Sequence, residues 1–146
     1  MRDEWDVAEG TDVEPVCRVL LYSDHPQTRE AVLLGVGTRA AKDLPRIEWV
    51  EVATPAMVVT RAESEHFDLL VLDGEAGKAG GMGLCRQLKD EIDEILPTCV
   101  VIGRAADRWL AAYARVDATL VHPLDPVTAG QTITDLLRKR VGSAAA

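Results

Sequence analysis

The sequence predicts an α/β fold in which one five-stranded parallel sheet is covered by helices on both faces. From Val16 onward, short apolar runs alternate along the chain with segments of helical periodicity. Such alternation is typical of parallel sheets that are built from repeated strand–helix units. Polar residues follow most of the apolar runs directly, and the carboxyl ends of parallel strands meet at the same edge of a sheet.

Five short runs are the predicted strands. The first is a continuous apolar run and the second alternates apolar and charged residues, which indicates a buried strand and a half-exposed edge strand. The third is apolar on both faces, as is typical of a central strand that lies under helices. In chain order the runs are Cys17–Tyr22, Ile47–Val52, Asp68–Leu72, Cys99–Ile102 and Ala118–Val121.

A helical pattern follows each strand. Pro26 and Pro55 suit first helical positions, where no backbone N–H is needed, and Thr54 is a suitable N-cap. Asp125 precedes Pro126 in the same way at the start of the last helix. The predicted helices run from Pro26 to Gly35 or Gly37, from Pro55 through Ala62, across Leu84, Leu88 and Ile92, across Trp109 and Tyr113, and from Pro126 to Arg140. Residues 74–83, with five glycines, are expected to form a loop.

Right-handed crossovers leave few topologies for such a chain. The strand order 2-1-3-4-5 of the flavodoxin-like (βα)5 fold is the one that we expect. In this fold, functional residues lie beyond the carboxyl ends of the strands. The residues at those ends are Ser23 and Asp24, Asp73, Gly103 and Arg104, and His122 and Pro123.

The net charge of −8 is unevenly distributed along the chain. Residues 1–15 hold six acidic residues against one arginine, a net charge of −5, so the remainder carries −3. We expect a flexible acidic arm over residues 1–15, a domain over 16–140 and a flexible tail over 141–146. A mildly acidic domain argues against nucleic acid as a partner.

Three cysteines and the lack of long apolar segments indicate a cytoplasmic protein. Cys17, Cys85 and Cys99 form no CxxC pair and stand in apolar settings, which fits reduced thiols. The N-terminus lacks the pattern of a signal peptide. No run approaches the roughly 20 apolar residues that span a bilayer, so no membrane insertion is expected.

Asp24 and Asp73 are predicted to lie at neighbouring strand ends. Two carboxylates that are held close together repel each other, so the pair either binds a cation or raises the pKa of one carboxyl group. Oxygen ligands of this kind suit Mg²⁺. Either aspartate alone would be interpreted as a cap of a loop or helix, but the pair indicates a site.

Several segments resemble the receiver domains of response regulators. Leu20–Arg29 and Leu70–Glu75 are similar to the ends of the first and third strands of that family, and the stretch from Asp73 to Leu88 fits its pattern without a gap. His122-Pro123 stands where receivers have a lysine and a proline. The resemblance covers about residues 16–140.

The resemblance implies a role for each matching position. Asp73 falls on the aspartate that accepts phosphate, and Asp24 on the second of two acidic metal-binding residues. The backbone carbonyl of Glu75 falls on a further Mg²⁺ ligand. An aspartyl phosphate forms by nucleophilic attack while a metal ion neutralises the phosphoryl oxygens.

Three positions of the pocket depart from the family's pattern. Ser23 replaces the first acidic residue, Gly103 replaces a serine or threonine, and His122 replaces the lysine. A histidine is shorter than a lysine and is largely neutral at pH 7. Without contacts that differ between the free and phosphorylated states, phosphate cannot shift a conformational equilibrium. Arg104 could supply the missing positive charge, although an exposed arginine before a helix is the simpler interpretation.

The leading hypothesis is therefore an atypical, stand-alone receiver with a degenerate pocket, which is not an enzyme and which acts by binding another protein. The partner would be a histidine kinase or an enzyme complex, and a homodimer is also open. Trp109 and Tyr113, one helical turn apart, are candidate interface residues. An alternative is a working phosphoacceptor, with Asp73 phosphorylated by a histidine kinase. A flavodoxin-like nucleotide or flavin binder ranks third, because residues 74–83 lack a phosphate-binding motif.

Overall fold

The computed structural model describes residues 15–75, 80–92, 96–104 and 116–145. Within these residues five parallel strands form one sheet in the order β2-β1-β3-β4-β5, which confirms the predicted fold and topology. The half-exposed second strand lies at the edge and the third lies at the centre, as predicted. The strands are β1 (Val16–Tyr22), β2 (Arg46–Val52), β3 (Leu69–Asp73), β4 (Thr98–Ile102) and β5 (Ala118–Val121).

Four helices lie within the described residues. They are α1 (Pro26–Val36), α2 (Pro55–Ser64), α3 (Gly80–Glu91) and α4 (Pro126–Ala145). The helix that was predicted around Trp109 and Tyr113 lies outside the described residues. The predicted ends are built as expected: the Thr54 hydroxyl accepts a hydrogen bond from the Met57 N–H at 3.2 Å. Gly37 ends α1 with a φ of +81°, a conformation that favours glycine.

Two helix boundaries differ from the sequence-based expectation. Helix α3 begins at Gly80, so the loop predicted over residues 74–83 is wrong for residues 80–83, which are helical. Packing of Leu84, Cys85 and Leu88 into the core offsets the low helix propensity of the glycines. Helix α4 continues to Ala145 rather than ending near Arg140, because the terminal alanines favour helix.

The core consists of two apolar layers, one on each face of the sheet. Alternate residues of β1 divide between them: Val19 and Leu21 face the layer that contacts α1 and α4, whereas Leu20 and Tyr22 face α2 and α3. Every residue of β3 and β4 is buried. Across the described part of the chain, no helix combines the length and apolar character that a bilayer span requires.

Candidate functional site

The predicted site residues lie at the carboxyl-terminal edge of the sheet. Hydrogen bonds of the sheet type continue to this edge, from the Gly74 N–H to the Val101 carbonyl at 2.7 Å and from the His122 N–H to the Ile102 carbonyl at 3.0 Å. The loops after β1, β3, β4 and β5 therefore begin at backbone positions that hydrogen bonds of the sheet hold in place. The loop after β3 is central and carries Asp73 at its base.

Asp73 is a buried carboxylate with a hydrogen bond to each oxygen. Only 2% of the surface of Asp73 is exposed. The Ser23 hydroxyl donates to Oδ2 at 2.7 Å, and the Glu75 backbone N–H donates to Oδ1 at 2.8 Å. A buried carboxylate needs such donors, because removing it from water without them is costly. Both donors are neutral, so they leave the negative charge of Asp73 in place.

Ser23 is held in position from three sides. Its hydroxyl accepts the His25 N–H at 3.0 Å while donating to Asp73. Its backbone carbonyl accepts a hydrogen bond from Arg29 Nη1 at 2.5 Å, and Arg29 Nε donates to Glu51 at 3.1 Å. Ser23 is thus a fixed partner of Asp73 and not a rotating surface hydroxyl.

Arg29 is a site-supporting residue that the sequence reasoning missed. It lies in the first turn of α1, where a positive charge opposes the helix dipole. That unfavourable placement is the signal that could have drawn attention to it. The observed contacts show what offsets it: the guanidinium ties α1 to the end of β1 and to Glu51 of β2.

Asp24 differs from Asp73 in its surroundings. It is exposed, and one of its oxygens lies 3.5 Å from His25 Nε2. Both carboxylates act on the buried Tyr22: burial raises the pKa of its phenol most, and the negative charges of Asp24 and Asp73 raise it further. Of the two aspartates that act on Tyr22, Asp24 is exposed and Asp73 is buried.

Few candidate side-chain metal ligands lie together in the described part of the chain. Nowhere in residues 15–75, 80–92, 96–104 or 116–145 do three His, Cys, Asp or Glu side chains cluster as metal ligands. Both oxygens of Asp73 accept protein hydrogen bonds, and Ser23 supplies a neutral hydroxyl at the position where the family's pattern has a further acidic residue. Asp24, Asp73 and the Glu75 carbonyl remain the predicted Mg²⁺ ligands, and they supply only two negative charges.

Two glycines at this edge have different neighbours. A Cβ on Gly74 would lie 2.8 Å from the Val101 carbonyl oxygen and 2.9 Å from Val100 Cγ1, so the residue after Asp73 has no room for a side chain. A Cβ on Gly103 would lie 3.0 Å from Oε1 of Glu75. The Glu75 side chain therefore rests against Gly103, at the position where a hydroxyl-bearing side chain was expected from the resemblance.

The remaining predicted pocket residues follow β4 and β5. Arg104 is exposed, and His122 is half-buried and precedes Pro123 through a cis peptide bond. Trp109 and Tyr113, the candidate interface residues, lie outside the described residues. The structure thus joins Ser23, Asp73, Glu75 and Gly103 in one cluster, with Asp24 and His122 on neighbouring loops of the same edge.

The strand order β2-β1-β3-β4-β5 with helices on both faces is the fold of CheY-like receiver domains. The chain superposes on the chemotaxis response regulator CheY4 of Vibrio cholerae with a TM-score of 0.73 and 16% identity, over 84% of this chain and 100% of that one. A CheY-like receiver domain protein of Methanospirillum hungatei gives a TM-score of 0.70 and 17% identity, over 88% and 99%. These identities show the fold alone.

Sequence relatives give the family. No family model matches the chain. The chain is 46% identical over 127 residues to an uncharacterized response regulatory protein of Mycobacterium tuberculosis strain H37Rv, which covers 87% of this chain and 96% of that protein. The protein belongs to the response-regulator family, and it is a receiver domain of two-component signalling.

Proposed function

We propose that this receiver has a degenerate phosphorylation pocket and signals by binding a protein partner rather than through a phosphate-driven switch. The observation that carries the proposal is the buried hydrogen bond from the Ser23 hydroxyl to Asp73. It puts a neutral donor at the position where the family's pattern has an acidic metal ligand. The candidate nucleophile is present, but its surroundings are altered.

The serine affects the first step of phosphorylation, which is the neutralisation of charge. A phosphodonor is an anion, and its approach to Asp73 is favoured when a cation offsets both charges. With Asp24 exposed and Ser23 uncharged, Mg²⁺ would be held weakly. We therefore expect slow attack by Asp73.

Gly103 and His122 affect what happens after phosphorylation. Gly103 offers no hydroxyl to a phosphoryl group, and His122 has a shorter side chain than lysine and no permanent charge. Each missing donor to a phosphoryl group costs several kcal/mol in comparable active sites. A phosphate on Asp73 would make few contacts that depend on its presence, so it would shift the conformation little.

The direct test restores the family's residues and compares the two proteins. Wild type and the triple variant Ser23→Asp/Gly103→Thr/His122→Lys are incubated with Mg²⁺ and acetyl phosphate, and intact mass is recorded over time. In the reaction an Asp73 oxygen forms a bond to phosphorus while the P–O bond to acetate breaks, and acetate leaves with the electron pair. We expect labelling of the triple variant at least about tenfold faster than that of wild type, equivalent to about 1.4 kcal/mol.

Asp73→Ala in both backgrounds is the matched control, because it removes the nucleophile and leaves every other residue in place. Any labelling that persists in this control is on a residue other than Asp73. If wild type gains one phosphoryl group as fast as the triple variant, and loses that gain in Asp73→Ala, the pocket is functional. That result would replace the present proposal with a working phosphoacceptor.

The proposal also covers role and partner. The domain acts in the cytoplasm as a non-enzymatic module, and its partner is a protein such as a histidine kinase or a component of an enzyme complex. Trp109 and Tyr113 stay the predicted anchors of that contact. Partner binding that is unchanged in Asp73→Asn would support signalling without phosphate.

A further inference from the structure

An open groove lies between helix α4 and the loop that follows α1. This α4 groove has a volume of about 550 Å³, and it follows one face of α4 as far as Arg138, with Ala40 and Ala41 on the opposite wall. The Thr134 hydroxyl donates to the Ala40 carbonyl at 3.1 Å, and two hydrogen bonds join Arg138 to Asp43. The loop is therefore fixed against α4, and the groove is a built feature of the surface.

Gly130 keeps the middle of the groove open. It lies in the interior of α4, where glycine lowers helix stability relative to alanine. A Cβ built on Gly130 would meet no described atom within 4 Å, so packing inside the domain does not require glycine there. At one end of the groove Val127 is 69% exposed. The groove thus has an unfilled middle and an exposed apolar end.

The other end of the groove is positively charged. Five exposed basic side chains lie on the loop, at the start of β2 and on α4, against two exposed acidic side chains, Asp43 and Asp135. The five, which form the basic patch, are Arg39, Lys42, Arg46, Arg138 and Lys139. Residues 16–146 as a whole carry a net charge of −3. A patch with a net charge of +3 on an acidic domain favours an acidic occupant.

The chain enters the domain beside the basic patch. Within the sheet, Val16 of β1 pairs with Arg46, which belongs to the patch. The next residue of β2, Ile47, donates its N–H to the Thr38 carbonyl at 2.7 Å, which holds the loop of the patch against the start of the strand. Residues that directly precede Val16 are therefore within reach of the patch.

Residues 3–14, the acidic segment, have a composition that complements the groove. They lie outside the described residues, and they contain six acidic side chains, no basic one and the apolar Trp5 and Val7. Ten extended residues span about 33 Å, whereas α4 is only about 17 Å long between Val127 and Arg138. The acidic segment is therefore long enough to follow the groove from its basic end to its apolar end.

We propose that the α4 groove binds the acidic segment of the same chain, with Asp12 and Glu14 on the basic patch and Trp5 at the apolar end. Burial of Trp5 against Val127 removes apolar surface from water, and the opposite charges set the direction of the segment. Tethering favours this occupant over a second copy, because a short tether gives an effective concentration of about millimolar. The contact does not involve Asp73, so it is independent of the proposed function.

Paramagnetic relaxation in NMR spectra of the full chain tests this contact. A nitroxide on Gly10→Cys labels the acidic segment without replacing a proposed contact residue, and the three native cysteines are buried. We expect the amide signals of Ala41 and Gly130 to lose at least about half of their intensity, because a tethered segment occupies the groove most of the time. Signals of α2, which packs on the other face of the sheet, should keep their intensity.

Two substitutions in the groove should release the segment without unfolding the domain. Gly130→Leu fills the middle of the groove with a better helix former. Val127→Asp puts a negative charge at the apolar end, in the first turn of α4, where an acid suits the helix dipole. Each should raise the Ala41 signal of the nitroxide-labelled chain about twofold. Met57→Asp, at an exposed apolar residue of α2, is the matched control and should leave that signal unchanged.

Charge reversal tests the basic end of the groove. Asp12→Lys/Glu14→Lys should release the segment and restore the Ala41 signal. Lys42→Glu/Arg46→Glu should do the same from the opposite side. The combination of all four substitutions should bring the loss of signal back, a coupling that a change in folding does not produce.

Three outcomes would overturn the inference. The first is full intensity at Ala41 and Gly130 in the nitroxide-labelled chain. The second is a loss of intensity that Val127→Asp and Met57→Asp change to the same extent. The third is a loss that arises only between molecules, in a mixture of isotope-labelled and nitroxide-labelled chains, which would assign the groove to the acidic segment of a second copy.

Discussion

The two edges of the sheet are held together by different kinds of polar contact. At the amino-terminal edge, opposite charges meet: Lys89 Nζ lies 2.7 Å from Asp117 Oδ2, and Arg18 Nη2 lies 2.8 Å from Glu65 Oε1. At the carboxyl-terminal edge, the buried Asp73 accepts hydrogen bonds from a hydroxyl and an amide. One edge neutralises its charges, and the other keeps a negative charge inside.

Two carboxylates at the amino-terminal edge also accept hydrogen bonds from backbone N–H groups. Asp117 Oδ2 accepts the Thr98 N–H at 2.8 Å, and Asp68 Oδ2 accepts the Arg18 N–H at 2.9 Å. Arg61 and Arg18 lower the pKa of the Glu65 carboxyl, which stays ionised as their partner. The starts of β1 and β4 are thus pinned by charged side chains, which stabilises strand register at the edge away from the site.

The difference indicates that the amino-terminal edge contributes mainly to stability, whereas the carboxyl-terminal edge holds the candidate reactive groups. A buried carboxylate with neutral partners is a less stable arrangement than one that faces a cation, and unusual charge environments are common at functional sites. We therefore expect substitutions at the amino-terminal edge to alter mainly the free energy of unfolding. Substitutions at the carboxyl-terminal edge should cost less unfolding free energy and should also alter binding and reactivity.

The largest expected effect on stability lies at the Lys89–Asp117 pair. Asp117→Asn leaves a buried ammonium, only 5% exposed at its side chain, without this carboxylate. Removing one partner of such a pair costs about 3 kcal/mol of unfolding free energy. Lys89→Met should cost less, because Asp117 is 29% exposed and still accepts the Thr98 N–H. Urea unfolding measures both, and equal losses would show that burial of the lysine is not the deciding factor.

A smaller effect is expected where β3 meets β4. Gly74→Ala forces a methyl group against the Val101 carbonyl at 2.8 Å, and backbone cannot move aside cheaply. We expect a loss of about 2 kcal/mol. Gly103→Ala is the matched control at the same edge, since its methyl group meets the movable end of Glu75 and should change stability by less than about 0.5 kcal/mol. Thermal or urea unfolding measures both variants, and equal losses of unfolding free energy would contradict this prediction.

A still smaller effect is expected at Ser23. Ser23→Ala removes one hydrogen bond to the buried Asp73, which costs about 1 kcal/mol. Ser23→Asp places a second carboxylate there, and we expect its Tm to rise on addition of Mg²⁺ because the ion binds only the folded state. Wild type should show little change over the same Mg²⁺ range. A wild-type Tm that rises as much as that of Ser23→Asp would mean that Asp24 and Asp73 suffice to hold the ion.

The sheet could be predicted from the sequence because the relevant signals are local and repeated. Blocks of apolar residues located all five strands, and the predicted helix starts at Pro26, Pro55 and Pro126 match the structure. The strand order followed from topology rules rather than from any single residue. The start of α3 was missed because the glycine-rich residues 80–83 gave no helical signal in the sequence. The helix starts there because Leu84 and Leu88 pack into the core.

The site was less predictable, because it depends on contacts between residues that are far apart in sequence. Position alone assigned Ser23 as a missing acid, but its hydrogen bond to Asp73, fifty residues away, needed coordinates. The contact of Glu75 with Gly103 depends on the absence of a Cβ in one loop and the path of another. Arg29 belongs to the same class of residue, since its partners lie on two other elements.

The smallest expected effect is a change in thiol reactivity at the amino-terminal edge. Burial, and then the negative charge of Asp117, raise the pKa of Cys99 to about 12, so the thiol is protonated at pH 8. The unfolded thiol ionises near 9.0, so the stability that comes from keeping Cys99 protonated is fully present below that pH and is lost as pH rises towards 12. Native protein at pH 8 should react with a thiol reagent only through local opening.

Asp117→Asn should speed the labelling of Cys99, because it removes both the repulsion and a tie that holds the start of β4 closed. We expect labelling to be about tenfold faster, which corresponds to a decrease of about 1.4 kcal/mol in the free energy of local opening. Cys85, which is equally buried but lies on α3 among the residues of the other core layer, is the internal control. Mass spectrometry measures the labelling rate of each cysteine. If the labelling of Cys85 increases as much as that of Cys99, the variant opens the whole domain, and Asp117 stabilises the domain globally rather than the amino-terminal edge locally.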